Sequence, residues 1–281
     1  MTTYSLTELL GQARKDRYSI ASFNVFSLNT ARAAIAAAEA ERSPVVLAFA
    51  ASHSKYADFD SLAAGLVSLT DRATIPAVLH LDHAESLDLV TRAIQAGFNS
   101  VMFDGYGLSP SEKTRQTRSV TDLAHSVGIS VEAEFGHITK LGEDESQRDE
   151  LLLDPAEVAR FVDETHIDIV ASAVGSVHGL EEGCTNLRLD LLQSVADQVT
   201  CFLSLHGGSG MSDDTVGAAI QIGVVKFSYF TGLSTASVNA AAKRFALSPP
   251  PRLTELDSLM MQAFQEQAQA KIRLYGASGR A

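Results

Sequence analysis

Short apolar runs recur along the chain, and a more polar segment follows each of them. The runs are continuous rather than alternating in polarity, as expected of strands that are covered on both faces. We predict strands at 19–26, 44–49, 76–80, 100–103, 129–134, 168–173, 201–205 and 224–227.

The segments between the runs carry the periodicity and end signals of helices. Asn29 or Thr30 and Ser212 can cap helices, Pro155 can occupy a first helical position, and Gly97 and Gly128 can end helices. We predict helices at 1–17, 31–41, 60–69, 86–96, 111–127, 154–165, 187–195 and 213–222, in a segment ending near 245, and at 253–274.

Regular alternation of strands and helices predicts an α/β fold, and eight repeats favour a (β/α)8 TIM barrel. A doubly wound open sheet is the alternative, but it often has a glycine-rich turn after its first strand, and Phe26-Ser27-Leu28 offers none. We therefore predict a single barrel domain over 1–281 with an extra C-terminal helix at 252–275, after the break at Ser248-Pro249-Pro250-Pro251.

One connection is longer than a barrel needs. Residues 137–153 contain Gly142, the acidic cluster Glu143-Asp144-Glu145 and Asp149-Glu150. Long loops in compact domains are usually functional or disordered, so we predict a mobile acidic lid here.

Composition narrows the classes of function. The 281 residues carry a net charge of -12, which argues against a nucleic-acid surface and against binding to anionic membranes. No apolar stretch reaches the roughly 18 residues of a membrane span, and the N-terminus does not read as a signal peptide. Cys184 and Cys201 form no disulfide framework, so we expect a reduced, cytoplasmic setting.

Titratable side chains cluster at the ends of the predicted strands. Barrel active sites lie at the carboxyl ends of the strands, and three imidazoles with carboxylates are what a metal enzyme needs. A lone histidine in such a place is more often structural, which weakens the inference for any single one. The glycine-rich turns 175–179 and 207–210 can bind an anion, although tight turns alone explain them as well. The clustered residues are Asp82, His83, Asp104, Glu134, His178 and His206.

Several motifs together resemble the class II, metal-dependent fructose-bisphosphate and tagatose-bisphosphate aldolases, and they occur in the family's order over most of the chain. The matching stretches are 21–25 (ASFNV), 79–83 (LHLDH), 101–105 (VMFDG), 131–136 (VEAEFG), 174–179 (VGSVHG) and 205–209 (LHGGS).

This resemblance implies zinc at His83, His178 and His206 and an acid/base role for Asp82. Asp104 and Glu134 match positions that hold a second, inward metal position or support the ligands. Glu143 matches the proton-transferring lid glutamate, with Glu145 as the alternative. Positions that match those of a monovalent cation (Na⁺ or K⁺) are Val177, Gly179 and Gly207, and those that match substrate or phosphate contacts are Gly179, Gly207, Ser209, Ser228 and Thr231.

The resemblance also implies a sugar or sugar-phosphate substrate and a homodimer or homotetramer. The chain departs from the family at the phosphate ends: 180–183 reads LEEG where a lysine is usual, Ser228 replaces an asparagine, Ala50 a hydroxyl residue and Leu256 an arginine. We therefore predict a ketose-phosphate aldolase with an altered phosphate pocket.

Four alternatives stay open. The substrate carries one phosphate or none, or Lys55, Lys140 or backbone amides replace the usual phosphate contacts. The chain is a non-catalytic accessory subunit, or a different metal-dependent barrel such as a hydrolase. An imine route through Lys226, on the last strand, is the least favoured.

Overall fold

A closed barrel of eight parallel strands forms the centre of the molecule. We describe it from a computed structural model that covers residues 4–138, 153–179 and 185–281. Each strand pairs with the next, and the last pairs with the first, which confirms the predicted TIM barrel. The strands are β1 (Ile20–Asn24), β2 (Val45–Ala50), β3 (Ala77–Ala84), β4 (Ser100–Phe103), β5 (Ser130–Phe135), β6 (Ile169–Ser172), β7 (Phe202–Leu205) and β8 (Val224–Tyr229).

Helices surround the barrel, and the last of them packs on α2 and α9. Tyr275, at the end of this helix, stacks on Phe227 of β8 with ring centroids 4.9 Å apart. No helix in the described ranges is long and apolar enough to cross a membrane. The helices are α1 (Leu6–Asp16), α2 (Leu28–Glu41), α3 (Phe59–Arg72), α4 (Leu87–Ala96), α5 (Pro110–His125), α6 (Pro155–Thr165), α7 (Leu189–Ala196), α8 (Asp213–Ile222), α9 (Thr231–Phe245) and α10 (Leu253–Leu274).

Element ends differ from the predicted ones where tertiary contacts decide them. β3 continues through Ala84 because β2 and β4 pair with it beyond the apolar run. The cap of α2 is Ser27, not Asn29; Ser27 forms a capping box with Thr30. Ser212 caps α8 as predicted, by accepting a hydrogen bond from the Thr215 amide.

Charged groups lie inside the barrel, beneath its carboxyl-end mouth. Glu132 and Lys226 are fully buried, and Lys226 Nζ lies 2.8 Å from Glu132 Oε2. Ser204 Oγ donates to Glu132 Oε1 at 2.6 Å. Because a buried charge is costly unless paired, these contacts explain how a carboxylate is tolerated in the core, and they place it directly below the mouth.

Candidate active site

A cavity of about 450 Å³ opens at the carboxyl ends of the strands. Because parallel strands end together, residues far apart in the sequence meet there. Val177 lies buried next to this group, whereas the predicted lid residues Glu143 and Glu145 lie outside the described residues. The predicted site residues that line the cavity are Asp82, His83, Asp104, Glu134, His178, Gly179, His206, Gly207, Ser209, Ser228 and Thr231.

An irregularity in β3 aims His83 at the cavity. The register between β3 and β4 shifts between Leu81 and Ala84, and His83 has a φ of 53°. Left-handed backbone is unusual for a residue with a Cβ, and bulges near active sites re-aim side chains. The shift lets His83 and its neighbour Asp82 both line the cavity, although adjacent residues of a regular strand point to opposite faces.

His206 is oriented by the buried carboxylate of Glu132. His206 Nε2 lies 2.9 Å from Glu132 Oε1, and an ionised carboxylate can only accept a hydrogen bond. Nε2 therefore carries the proton. Burial lowers the pKa of His206, so the ring is neutral and Nδ1 presents a lone pair. Carboxylate–histidine pairs of this kind orient metal ligands in proteins.

His83 presents a second ring nitrogen to the same point. Its Nδ1 lies 3.3 Å from Asp104 Oδ2, which leaves Nε2 facing His206 Nδ1 at 3.0 Å. Burial alone lowers the pKa of His83, but Asp82, Asp104 and Glu134 outweigh it and raise the pKa to about 9. These surroundings therefore favour a positive charge between the two rings, either a proton or a metal cation.

His178 completes a cluster of three imidazoles. One ligand nitrogen from each of His83, His178 and His206 lies within 4.8 Å of the others. The three ring planes are mutually inclined by 70–77°. Three histidines with an open fourth position are a known catalytic zinc arrangement, so the residues present fit a divalent cation.

A second cluster shares His83. Its side chain, Asp104 and Glu134 also bring ligand atoms within 4.8 Å of one another. Burial and the nearby Asp104 raise the pKa of Glu134 to about 7. Lys113 is close enough to both carboxylates to interact with them electrostatically. The arrangement fits either predicted role, a second metal position or support of the first.

Asp82 is held beside the histidines. Asn24 Nδ2 donates to Asp82 Oδ2 at 2.7 Å, and Asp82 Oδ1 lies 4.0 Å from His83 Nε2. Burial alone would raise the pKa of Asp82, but His83, His206 and Lys226 outweigh it and lower the pKa. Oδ1 has no hydrogen-bond partner among the described residues. Asp82 thus presents an ionised oxygen that can accept a proton.

Backbone amides and hydroxyls gather at another side of the cavity. Gly207 has a φ of 70°, and a Cβ there would lie 2.5 Å from the carbonyl oxygen of Val177. Ser209 Oγ accepts a hydrogen bond from the Gly232 amide at 3.1 Å, and Thr231 begins α9. A helix N-terminus beside a tight glycine turn suits an anion.

Lys226 does not line the cavity among the described residues. Its ammonium lies against Glu132 and 3.3 Å from Ser228 Oγ. The lysine is fully buried, so the imine route has no structural support. Ser228 turns its hydroxyl toward this lysine and lies 3.4 Å from His206 Nε2.

Sequence reasoning missed two functional residues, Glu132 and Asn24, although both lie within motifs that matched. Their roles depend on partners on other strands, and only the unusual presence of a carboxylate in an apolar strand marked Glu132. Of the alternative phosphate contacts, Lys55 is exposed with its Nζ over the Tyr56 ring, and Lys140 lies outside the described residues. The Leu180–Gly183 stretch is also outside them.

Known proteins match this chain along its whole length. The chain is 36% identical over 282 residues to the 6-phospho-5-dehydro-2-deoxy-D-gluconate aldolase of Shouchella clausii, covering 98% of this chain and 95% of that protein. It is 32% identical over 287 residues to the fructose-bisphosphate aldolase of Geobacillus stearothermophilus, covering 100% and 99%. The crystal structure of the YdjI aldolase from Escherichia coli K12 superposes with a TM-score of 0.89 at 30% identity, covering all of both chains.

The family described as "Fructose-bisphosphate aldolase class-II" matches residues 4–280. The match includes every strand of the barrel and the two histidine clusters at its mouth. The chain therefore belongs to the class II fructose-bisphosphate aldolase family and is an aldolase, a lyase.

Proposed function

We propose that this protein is a zinc-dependent aldolase that reversibly cleaves a ketose phosphate into dihydroxyacetone phosphate, or a related ketone, and an aldehyde. His83, His178 and His206 would hold the zinc. A zinc ion there supplies a Lewis acid that stabilises negative charge on the ketone oxygen of the substrate. The observation that carries the proposal is the pair of ring nitrogens facing each other at 3.0 Å beside the ionised Asp82.

Asp82 is the group that accepts the hydroxyl proton as the carbon–carbon bond opens, and it returns this proton in the synthesis direction. Its hydrogen bond to Asn24 fixes the carboxylate without occupying Oδ1. Glu132 acts through His206 and is a positioning residue. Glu143 remains the proposed lid base, with Glu145 as the alternative.

We place the substrate phosphate at the amides and hydroxyls around Gly179, Gly207, Ser209 and Thr231. This end combines a helix N-terminus with glycine turns, which suits an anion without a lysine. The S. clausii relative is named for a substrate with one phospho group. Both points favour a singly phosphorylated substrate over a bisphosphate for this protein.

Two further properties belong to the proposal. Val177, Gly179 and Gly207 bring backbone atoms together where Na⁺ or K⁺ would support the phosphate end. Assembly into a homodimer or homotetramer is expected from the family resemblance.

Replacing Asp82 tests the proposal. Asp82→Asn keeps the side-chain shape but removes the base, so we expect coupling of dihydroxyacetone phosphate with aldehydes to fall by about 10²–10⁴-fold. Bound zinc, measured by elemental analysis, should not change. Glu85→Gln is the control because Glu85 lines the same cavity without an assigned role, and it should keep wild-type activity.

Wild-type turnover in Asp82→Asn would reject the role of Asp82. Failure of the zinc-loaded wild type to couple dihydroxyacetone phosphate with any of a panel of aldehydes would reject the aldolase proposal itself and favour an accessory role.

A further inference from the structure

Four aromatic rings form one side of the cavity mouth, which we term the aromatic wall: Phe26, Phe49, His53 and Phe230. The His53 ring is the centre, with its centroid 5.0 Å from Phe230, 5.7 Å from Phe26 and 6.4 Å from Phe49. Phe26 and Phe230 meet edge to face at 6.2 Å. The residues follow or belong to β1, β2 and β8, which are neighbours in the barrel. His53 and Phe230 are the members that line the cavity.

The aromatic wall lies on the Asp82 side of the cavity. Asn24, which bonds Asp82, ends β1, and Ala50, the Cα partner of Asp82, ends β2. His53 interacts electrostatically with Asp82 as well. Asp82 handles the proton of the hydroxyl that becomes the aldehyde oxygen. The carbons beyond that hydroxyl, which form the aldehyde half of the substrate, therefore lie next to Asp82 and its β1–β2 neighbours.

This side of the cavity offers no fixed positive charge. Among the described residues that line the cavity, none is a lysine or an arginine. His53 is only 9% exposed, and burial lowers its pKa, so its ring is neutral near pH 7. Asp82 adds negative charge nearby. An anionic group on the aldehyde half would lose water here and gain no cation in return, which is unfavourable.

We propose that the aromatic wall binds an uncharged aldehyde half, with His53 and Phe230 as the residues that select it. The substrate class is then a ketose phosphate whose single phosphate is on the ketone half and whose other half ends in a hydroxyl or an alkyl group. This inference rests on the proposed function, and it adds the chemistry of the second product.

Two matched pairs of aldehydes test the inference in the synthesis direction, with the zinc-loaded wild type and dihydroxyacetone phosphate. Glyceraldehyde is compared with glyceraldehyde 3-phosphate, and butanal with succinic semialdehyde, which differs by a terminal carboxylate. We expect kcat/KM to favour the uncharged member of each pair by about tenfold or more. Equal values, or a preference for the charged members, would overturn the proposal.

Variants locate the selectivity in the aromatic wall. Phe230→Ser removes one ring, and we expect kcat/KM for butanal to fall about tenfold, with a smaller fall for succinic semialdehyde. Phe230→Leu keeps an apolar surface and should retain the preference. Tyr106→Ser is the control, because Tyr106 is an aromatic residue that lines the same cavity outside the aromatic wall. A ratio that is unchanged in Phe230→Ser, or changed equally in Tyr106→Ser, would overturn the assignment.

A half-reaction separates the two levels of the argument. Exchange of the methylene proton of dihydroxyacetone phosphate with solvent deuterium, followed by NMR, needs no aldehyde. Exchange with a preference for charged aldehydes would overturn the aromatic-wall inference alone. No exchange and no coupling in the wild type would overturn the proposed function and the inference with it. The exchange rate of each variant also reports whether the ketone half of its site is intact.

Discussion

Single residues in this barrel are set by neighbours on other strands. His80 is fully buried in β3, and its Nδ1 lies 2.8 Å from Ser100 Oγ on β4. Burial, with some help from Lys226, lowers the pKa of His80 to about 3. The ring therefore stays neutral in the folded protein over a pH range in which it is protonated in the unfolded chain.

That difference predicts acid lability. Between pH 6.5 and 3 the unfolded state binds a proton at His80 that the native state does not, so the free energy of unfolding falls as the pH falls. By pH 5 the loss is at most about 2 kcal/mol. Urea unfolding of metal-free protein at pH 5, 6 and 7 should show a shallower pH dependence for His80→Gln than for wild type.

Glu134 requires that this test be a difference. Its pKa is raised to about 7, so between about pH 4.5 and 7 the native state holds a proton that the unfolded state has lost. This gives stability a slope of opposite sign, and the raw profile alone decides nothing. An identical pH dependence in His80→Gln and wild type would contradict the assigned protonation of His80.

Sequence alone predicted the residues at the strand ends better than those that support them. His83, His178 and His206 follow apolar runs, so their convergence could be predicted from barrel topology. The role of Glu132 could not, because it depends on Ser204, His206 and Lys226, none of which is near it in sequence.

At the scale of elements, apolar runs located every strand but not every strand end. The run before His80 stops where β3 continues to Ala84, because pairing with β2 and β4 extends the strand into polar residues. The shift at His83 has no counterpart in the polarity pattern. Backbone geometry at the ends of the strands, rather than strand position, was therefore the part that sequence could not supply.

The turn after β7 depends on a glycine for the same reason. Gly207 combines a φ of 70° with a close approach to the Val177 carbonyl. Gly207→Ala should therefore lower the free energy of unfolding by about 1–3 kcal/mol, because the backbone must shift or remain strained. The KM for dihydroxyacetone phosphate should rise with it. Urea unfolding and steady-state kinetics measure the two effects.

Gly217 in α8 provides the matched control. A Cβ at Gly217 would meet nothing within 4 Å, and alanine is the better helix former. Gly217→Ala should be neutral or stabilising. If Gly207→Ala proved as stable as Gly217→Ala, the turn would not be constrained as described.

On the scale of the whole molecule, the three candidate zinc ligands come from β3, from the segment after β6 and from the segment after β7. A bound ion would thus tie together strands on opposite arcs of the barrel. The unfolded chain cannot hold these residues together, so binding to the native state should stabilise the entire fold.

We therefore expect zinc to raise the melting temperature. A free concentration 100–1,000 times Kd adds about 3–4 kcal/mol, and for a chain of this length that is roughly 5–15 °C. Differential scanning calorimetry of the chelator-treated and the zinc-reconstituted protein measures the shift. His178→Ala should lose most of it, because it removes one ligand and leaves the Glu132–His206 pair intact. His125→Ala, at an exposed histidine paired with Asp168 far from the mouth, should keep it. A full zinc-dependent shift in His178→Ala would exclude His178 as a ligand.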